Sequence, residues 1–226
     1  MDFFVQATIT PKAAAKLLLS GEINLDAIWN EQTSKKVFDE LLTLSIDEAL
    51  DIVDRNTYGA LADVHYVPQF GKLETVTDVP SYFVDTGTRC ADYPQLGFFL
   101  KPDVNASLVA NTKFGENHGK AAAILGIANC INKRIVPSAL SYGFMDLNQD
   151  EQKEVVKKLL FKIPAVQIIL CSAKNGVVNG YDSLALLKES TMRRRSQCLR
   201  AIFRILKEYN HPTLNNRIEN ITWEVK

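Results

Sequence analysis

Cysteine is scarce in this 226-residue chain, and Cys90, Cys130, Cys171 and Cys198 stand far apart without forming a C-x-x-C pair. Such spacing reads as reduced, mostly buried thiols of an intracellular protein. His65, His118 and His211 are equally scattered, which argues against a zinc site. No apolar run approaches a membrane span, and the start, MDFFVQATIT, lacks the basic residues of a signal peptide. The chain also has no net charge, since 26 basic and 26 acidic groups cancel. The resulting expectation is a cytoplasmic protein with no membrane partner, no metal and no cofactor. A hydrophobic content of 46% is enough for one large domain or two small ones.

The neutral total conceals an uneven distribution. Residues 1–60 hold five basic groups and ten acidic ones. Residues 188–207 hold seven basic groups and one acid, Glu189. Asymmetry of this kind points to a local binding face rather than to general stickiness for polyanions. The basic segment, STMRRRSQCLRAIFRILKEY over 190–209, has helical periodicity. Met192, the stem of Arg195, Leu199, Ile202, Phe203 and Leu206 recur at three- and four-residue steps as an apolar stripe. Arg193, Gln197, Arg200, Arg204 and Lys207 recur at the same steps on the other side. Ser190 or Thr191 can cap the helix start. A buried stripe backed by an arginine stripe is what a nucleic-acid recognition helix needs, although many basic amphipathic helices are solvated faces or bind a partner helix or a lipid headgroup.

The rest of the chain divides into 1–85, 86–160 and 161–226. The first part predicts a helix over 11–20, with Pro11 in its first turn and Gly21 just past its end, and helical signal over 25–29 and 34–44. Ser45 with Glu48 forms a capping box that opens a helix to about residue 55, and residues 56–59 end it. Segments 62–66, 73–76 and 81–84 are β-prone and separated by Pro68, Gly71 and Pro80. The second part predicts helices over 104–111 and after a turn at 115–120, closed by Gly126, then two strands over 130–137 and 141–147. Helix, turn, helix, two-stranded wing is the order of a winged helix-turn-helix. A charged helix over 148–161 leads to a second such order. It has helices over 164–174, 181–188 (capped by Asn179 or Asp182) and 190–209, and a wing over 217–225, where Ile218, Ile221, Trp223 and Val225 alternate. The expected fold is mainly α with small β wings: tandem winged helix-turn-helix units behind an N-terminal helical region.

The stretches KFGENHGKAAAILGI, KIPAVQIIL and STMRRRSQCLRAIFRIL resemble a winged-helix module found beside nuclease domains in type II restriction enzymes and in related bacterial proteins. The shared pattern covers roughly 86–226. It rests most on Glu116-Asn117-His118-Gly119-Lys120, the Pro164 segment, and Thr191 with Arg193, Arg194 and Arg195. This resemblance implies sequence-specific binding of double-stranded DNA, as the target-recognition part of a restriction or other defence protein, or as a regulator. A homodimer and a nuclease domain or subunit are the protein partners it allows. Residues 1–85 match no family pattern.

Arg193, Arg194, Arg200, Arg204 and Lys207 are the expected DNA contacts, with Arg195 nearer the apolar side. Lys113 and Lys120 flank one turn and can touch phosphates; His118 can donate to a phosphate or act as an acid or base. Glu116 at that helix start would oppose anions. Tyr93, Phe98 and Phe99 read as core. A metal-dependent type II endonuclease is an alternative, with Pro102-Asp103 and Asn111-Thr112-Lys113 approaching a PD…(D/E)xK pattern. Asn111 stands where that pattern needs a carboxylate, and Glu224-Val225-Lys226 fits only its last three letters, so no catalytic residue is assigned. A protein–protein assembly module is the other alternative.

Overall fold

The computed structural model describes residues 9–21, 31–55, 67–70 and 73–224. The expectations over 25–29, 56–59 and 62–66 lie outside the described residues. Within them the chain is mainly helical, with short strands in two small sheets.

The N-terminal helices follow their sequence signals. Helix α1 (Pro11–Ser20) is capped by the Thr10 hydroxyl, which accepts the Ala13 N–H, and stops at Gly21 with φ 76°. Helix α2 (Glu31–Thr43) packs on α1, and α3 (Ile46–Arg55) begins with the expected Ser45–Glu48 capping box. One apolar cluster then runs without interruption from Ala14 to Leu214.

Three of the β-prone or irregular stretches are helices instead. Residues 73–76 and 81–84 lie in α4 (Leu73–Thr77) and α5 (Val79–Thr86). Pro80 sits in the first turn of α5, where proline costs no hydrogen bond, and Gly87 at φ 65° ends the helix. The strand expected over 141–147 is α8 (Ala139–Met145), which buries Leu140 and Phe144. Burial on one helical face outweighs β propensity in these short segments.

Strand β1 (Ala91–Asp92) leads directly into α6 (Tyr93–Leu100), a turn follows, and α7 (Leu108–Leu125) comes next. The two helices expected over 104–111 and 115–126 are therefore one. Its apparent break is a contact: a Cβ on Gly115 would lie 2.0 Å from the Tyr93 carbonyl oxygen, and one on Gly97 would lie 1.9 Å from that of Asn111. Both glycines let α6 and α7 cross backbone to backbone. Gly126, at φ 85°, closes α7 as expected. Strands β2 (Asn129–Ile131) and β3 (Arg134–Val136) form a hairpin in which Ile131 pairs with Arg134, and Asn132 and Lys133 take φ of 50° and 63°. That is a two-residue turn with both central φ positive. β1 adds to the free edge of β3, giving the order β1-β3-β2.

The C-terminal third keeps its three longer expected helices and loses two smaller features. Helices α9 (Gln149–Leu159) and α10 (Pro164–Ala173) match the reading, and α11 spans Glu189–Lys207. Its N-cap is Lys188 rather than Ser190 or Thr191. Residues 181–188 contain only a single 3-10 turn, Asp182–Leu184. The segment expected as a second wing begins inside α12 (Pro212–Glu219), and only Ile221–Thr222 forms a strand, β5, parallel to β4 (Val178–Asn179).

Polar ties join the chain ends to the middle. The buried Lys158 ammonium donates to the carbonyls of Leu41 (3.0 Å), Leu42 (2.7 Å) and Leu44, closing the orphan C-terminus of α2. Buried Arg217 of α12 holds Asp54 of α3 through two bonds, of 2.6 and 3.0 Å, and Lys174 adds a third at 2.6 Å. Burial alone would raise the Asp54 carboxyl, but the bonds from Arg217 and Lys174 outweigh it and hold its pKa below the ordinary value.

Lys158→Met is expected to destabilise the fold by about 3 kcal/mol in chemical denaturation, because three buried carbonyls lose a charged donor. A loss below about 1 kcal/mol would contradict that role. Asp54→Asn is expected to cost about 2 kcal/mol at neutral pH by leaving Arg217 unpaired. The depressed carboxyl contributes its stability above the usual carboxylate range and loses it as pH falls through its folded pKa. The gap between wild type and Asp54→Asn should therefore narrow below about pH 4. A gap independent of pH would contradict the assignment.

Candidate nucleic-acid interface

The arginine helix does not present one stripe. At 100° per residue, Arg193, Arg200, Arg204 and Lys207 fall in one narrow arc, opposite to Leu199 and Ile202, and all four are exposed. Each has company. Arg193 pairs with Glu189 at 2.6 Å, and Lys207 with Glu219 at 2.8 Å. Arg200 lies 5.2 Å from the Trp223 ring and donates to its carbonyl at 3.3 Å. Arg204 borders a groove that also holds Glu74, Asp150, Glu154 and Glu208, with Lys153 and Lys157 as its other cations. This row is open to solvent, and two of its four cations, Arg193 and Lys207, are paired with carboxylates.

Arg194 and Arg195 point elsewhere. Arg195 is half-buried, as its place near the apolar stripe predicts, and its Nη1 donates to the Val67 carbonyl. Its Nε is buried and has no hydrogen-bond partner among the described residues. Arg194 is exposed, with no hydrogen bond or ion pair among the described residues. Both line a cleft of about 540 Å³ whose opposite wall is the outward face of α7.

That face is set by the α6–α7 crossing. Gly115, Gly119, Ala122 and Leu125 are buried, so Lys113, Glu116, Asn117 and Lys120 turn outward at three- and four-residue steps. Glu116 sits between the two lysines, 2.8 Å from Lys113 and 2.7 Å from Lys120. Hydrogen bonds from Lys113 and Lys120 hold its carboxyl down to about 2, so it stays ionised and transfers no proton near neutrality. Lys120 also lies 5.9 Å from the Tyr93 ring. Val67, Pro68, Ala123 and Ile124 supply an apolar floor. Among the described residues the cleft thus carries four cations, Lys113, Lys120, Arg194 and Arg195, against one carboxylate.

His118 is not part of this surface. It is 4% exposed, its Nδ1 donates to the Phe114 carbonyl at 2.9 Å, and its ring packs 4.1 Å from that of Phe114. Burial lowers its pKa, against the opposing effect of the Phe114 bond, so the ring is neutral at ordinary pH. It reaches neither phosphate nor substrate, because a helix that is continuous through Gly115 turns position 118 into the core. Glu116 likewise lies mid-helix, not at a helix start. Cys90 and Cys130, read as buried, are exposed, and the Cys130 sulfur lies 3.4 Å from the Tyr93 hydroxyl. Phe98, read as core, is 48% exposed, whereas Phe99 packs edge-on to Tyr82 at 5.2 Å.

The residues named for metal-dependent cleavage are not brought together. Asp103 accepts the Asn105 N–H at 2.9 Å in the loop before α7, and Lys113 is bonded to Glu116. Among the described residues no group of three or more His, Cys, Asp or Glu side chains could hold a metal ion. No helix among them is long and apolar enough to cross a membrane.

Asn117, quoted within a motif but given no role, and Lys133 at the β2–β3 hairpin tip were not named as candidate contacts; the 113, 116, 117, 120 spacing would have shown the first had 108–125 been taken as one helix. Glu116→Gln removes the one carboxylate that the described residues bring to the cleft, and it is expected to tighten binding to heparin, a generic polyanion, about threefold. Unchanged or weaker retention would mean that the cleft does not meet anions. Comparison with protein-family models, with curated proteins and with solved structures gives no match to this chain.

Proposed function

We propose that the protein binds duplex DNA, and that the groove-entering helix is α7, with Arg194 of α11 beside it. One observation carries this reading: cations from two helices far apart in sequence converge on a single open cleft with only Glu116, among the described residues, to oppose them. Lys113, Lys120 and Arg194 suit phosphate oxygens or guanine edges, and Asn117 suits adenine.

The order of elements supports it as well. Helix α6, a turn, helix α7 and the β2–β3 hairpin follow one another as helix, turn, helix and two-stranded wing. Exposed Lys133 stands at the hairpin tip, where it can meet the backbone of a neighbouring groove. On this proposal 86–160 is the winged-helix unit that docks and α11 flanks it. A second unit over 161–226 has less support, since 181–188 holds only a 3-10 turn and α12 occupies the start of its wing. The resemblance to modules of restriction enzymes extends the proposal to the recognition part of a restriction or other defence system, or to a regulator.

The α11 row contributes unequally. An exposed ion pair such as Arg193–Glu189 is worth about 0.5 kcal/mol, so Arg193 can exchange its partner for a phosphate. Arg204, among four carboxylates, gains least from doing so. One observation favours the assembly reading instead: Val104, Leu108 and Val109 are 88, 70 and 78% exposed at the start of α7.

Fluorescence anisotropy with a labelled duplex at moderate salt tests the proposal. Arg194→Ala with Lys120→Ala is expected to weaken binding about 30-fold and to flatten the log–log salt slope by about two. Arg200→Ala with Arg204→Ala should change affinity less than about threefold. If the second pair abolishes binding and the first does not, the contact face is the outer row of α11 and the proposal is wrong.

A further inference from the structure

We propose that the cleft between α7 and α11 seats a single nucleotide, its phosphate against Arg194, Lys113 and Lys120 and its base against Asn117 and the apolar floor. The inference rests on the same cleft as the duplex reading and deepens it. A face that only tracked a phosphate backbone would need charge and no depth. This one has depth: about 540 Å³ lies within the roughly 300–1,000 Å³ of small-molecule sites.

The lining divides as a nucleotide does. Cations stand on both walls, and Val67, Pro68 and Ile124 present carbon to a flat ring. Asn117 makes no hydrogen bond among the described residues, so both its amide donor and its acceptor are available to a base edge. Arg195 also lines the cleft; with its Nη1 fixed on the Val67 carbonyl, its guanidinium adds a permanent positive charge to the wall that faces α7.

One chemistry can come from two sources, a free nucleotide or an unpaired nucleotide of a bound strand turned out of its stack. Isothermal titration calorimetry on the full chain separates these. Titration with each of the four deoxynucleoside 5′-monophosphates is expected to give at least one that binds about tenfold more tightly than both inorganic phosphate and the matching nucleoside. Arg194→Ala should weaken that nucleotide about tenfold, and Asn117→Leu should erase the preference among bases while keeping part of the affinity. Ala123→Trp, which fills the floor, should abolish nucleotide binding. Circular dichroism confirms the fold of each variant.

A duplex carrying one unpaired nucleotide identifies the source: preference over a fully paired duplex assigns the pocket to DNA, and equal binding assigns it to a free nucleotide. Nucleotide binding without any duplex binding keeps the inference and removes the duplex reading. Inorganic phosphate binding as tightly as every nucleotide, no heat with any nucleotide, or Ala123→Trp leaving nucleotide affinity unchanged would overturn the inference.

Discussion

The backbone contact between α6 and α7 is the constraint on which the cleft depends. A single methyl at Gly97 or Gly115 would fall about 2 Å from a carbonyl oxygen of the other helix, well inside any tolerable contact, so the two axes can approach this closely only with no side chain between them. The crossing fixes the rotation of α7. That rotation buries His118 and Leu125 and turns Lys113, Asn117 and Lys120 outward. The same crossing brings Tyr93 beside Cys130 and places the hairpin at the rim.

Charge in this protein is best understood after pairing. Part of the acidic excess of the first quarter is taken up in ion pairs among the described residues. Asp54 is held by Arg217 and Lys174, and Glu48 by Lys16 and Lys12, so those carboxylates stitch the front of the chain to its own helices and to its C-terminal third. In the outer row of α11, Arg193 and Lys207 meet carboxylates in the same way. Arg194 and Arg195 have no acid partner among the described residues, and they lie where α7 brings two more cations.

Much of the helical framework was legible because capping chemistry is local. Thr10 with Gly21, Ser45 with Glu48, Asn148 with Glu151 and Pro164 each mark a helix start or stop through hydrogen bonds made within a few residues. Reading failed where a residue's meaning depends on a distant partner. Gly115 looks like a turn until α6 is seen to lie against it, and Pro80 looks like a strand breaker until it is placed in a first helical turn. The site was legible in its components: Lys113, Lys120 and Arg194 were all named as contacts. Their convergence was not, because nothing in periodicity tells that α7 and α11 face each other, and the regular stripe of Arg193, Arg200, Arg204 and Lys207 drew attention to the more neutralised face.

Lysine footprinting with and without duplex DNA tests the central claim most directly, since it reports which amines a bound duplex covers. Acetylation of Lys113, Lys120 and Lys133 is expected to fall on binding, while Lys35, Lys153 and Lys207, away from the cleft, keep their rates. Protection of Lys207 with Lys113 and Lys120 unchanged would contradict the account.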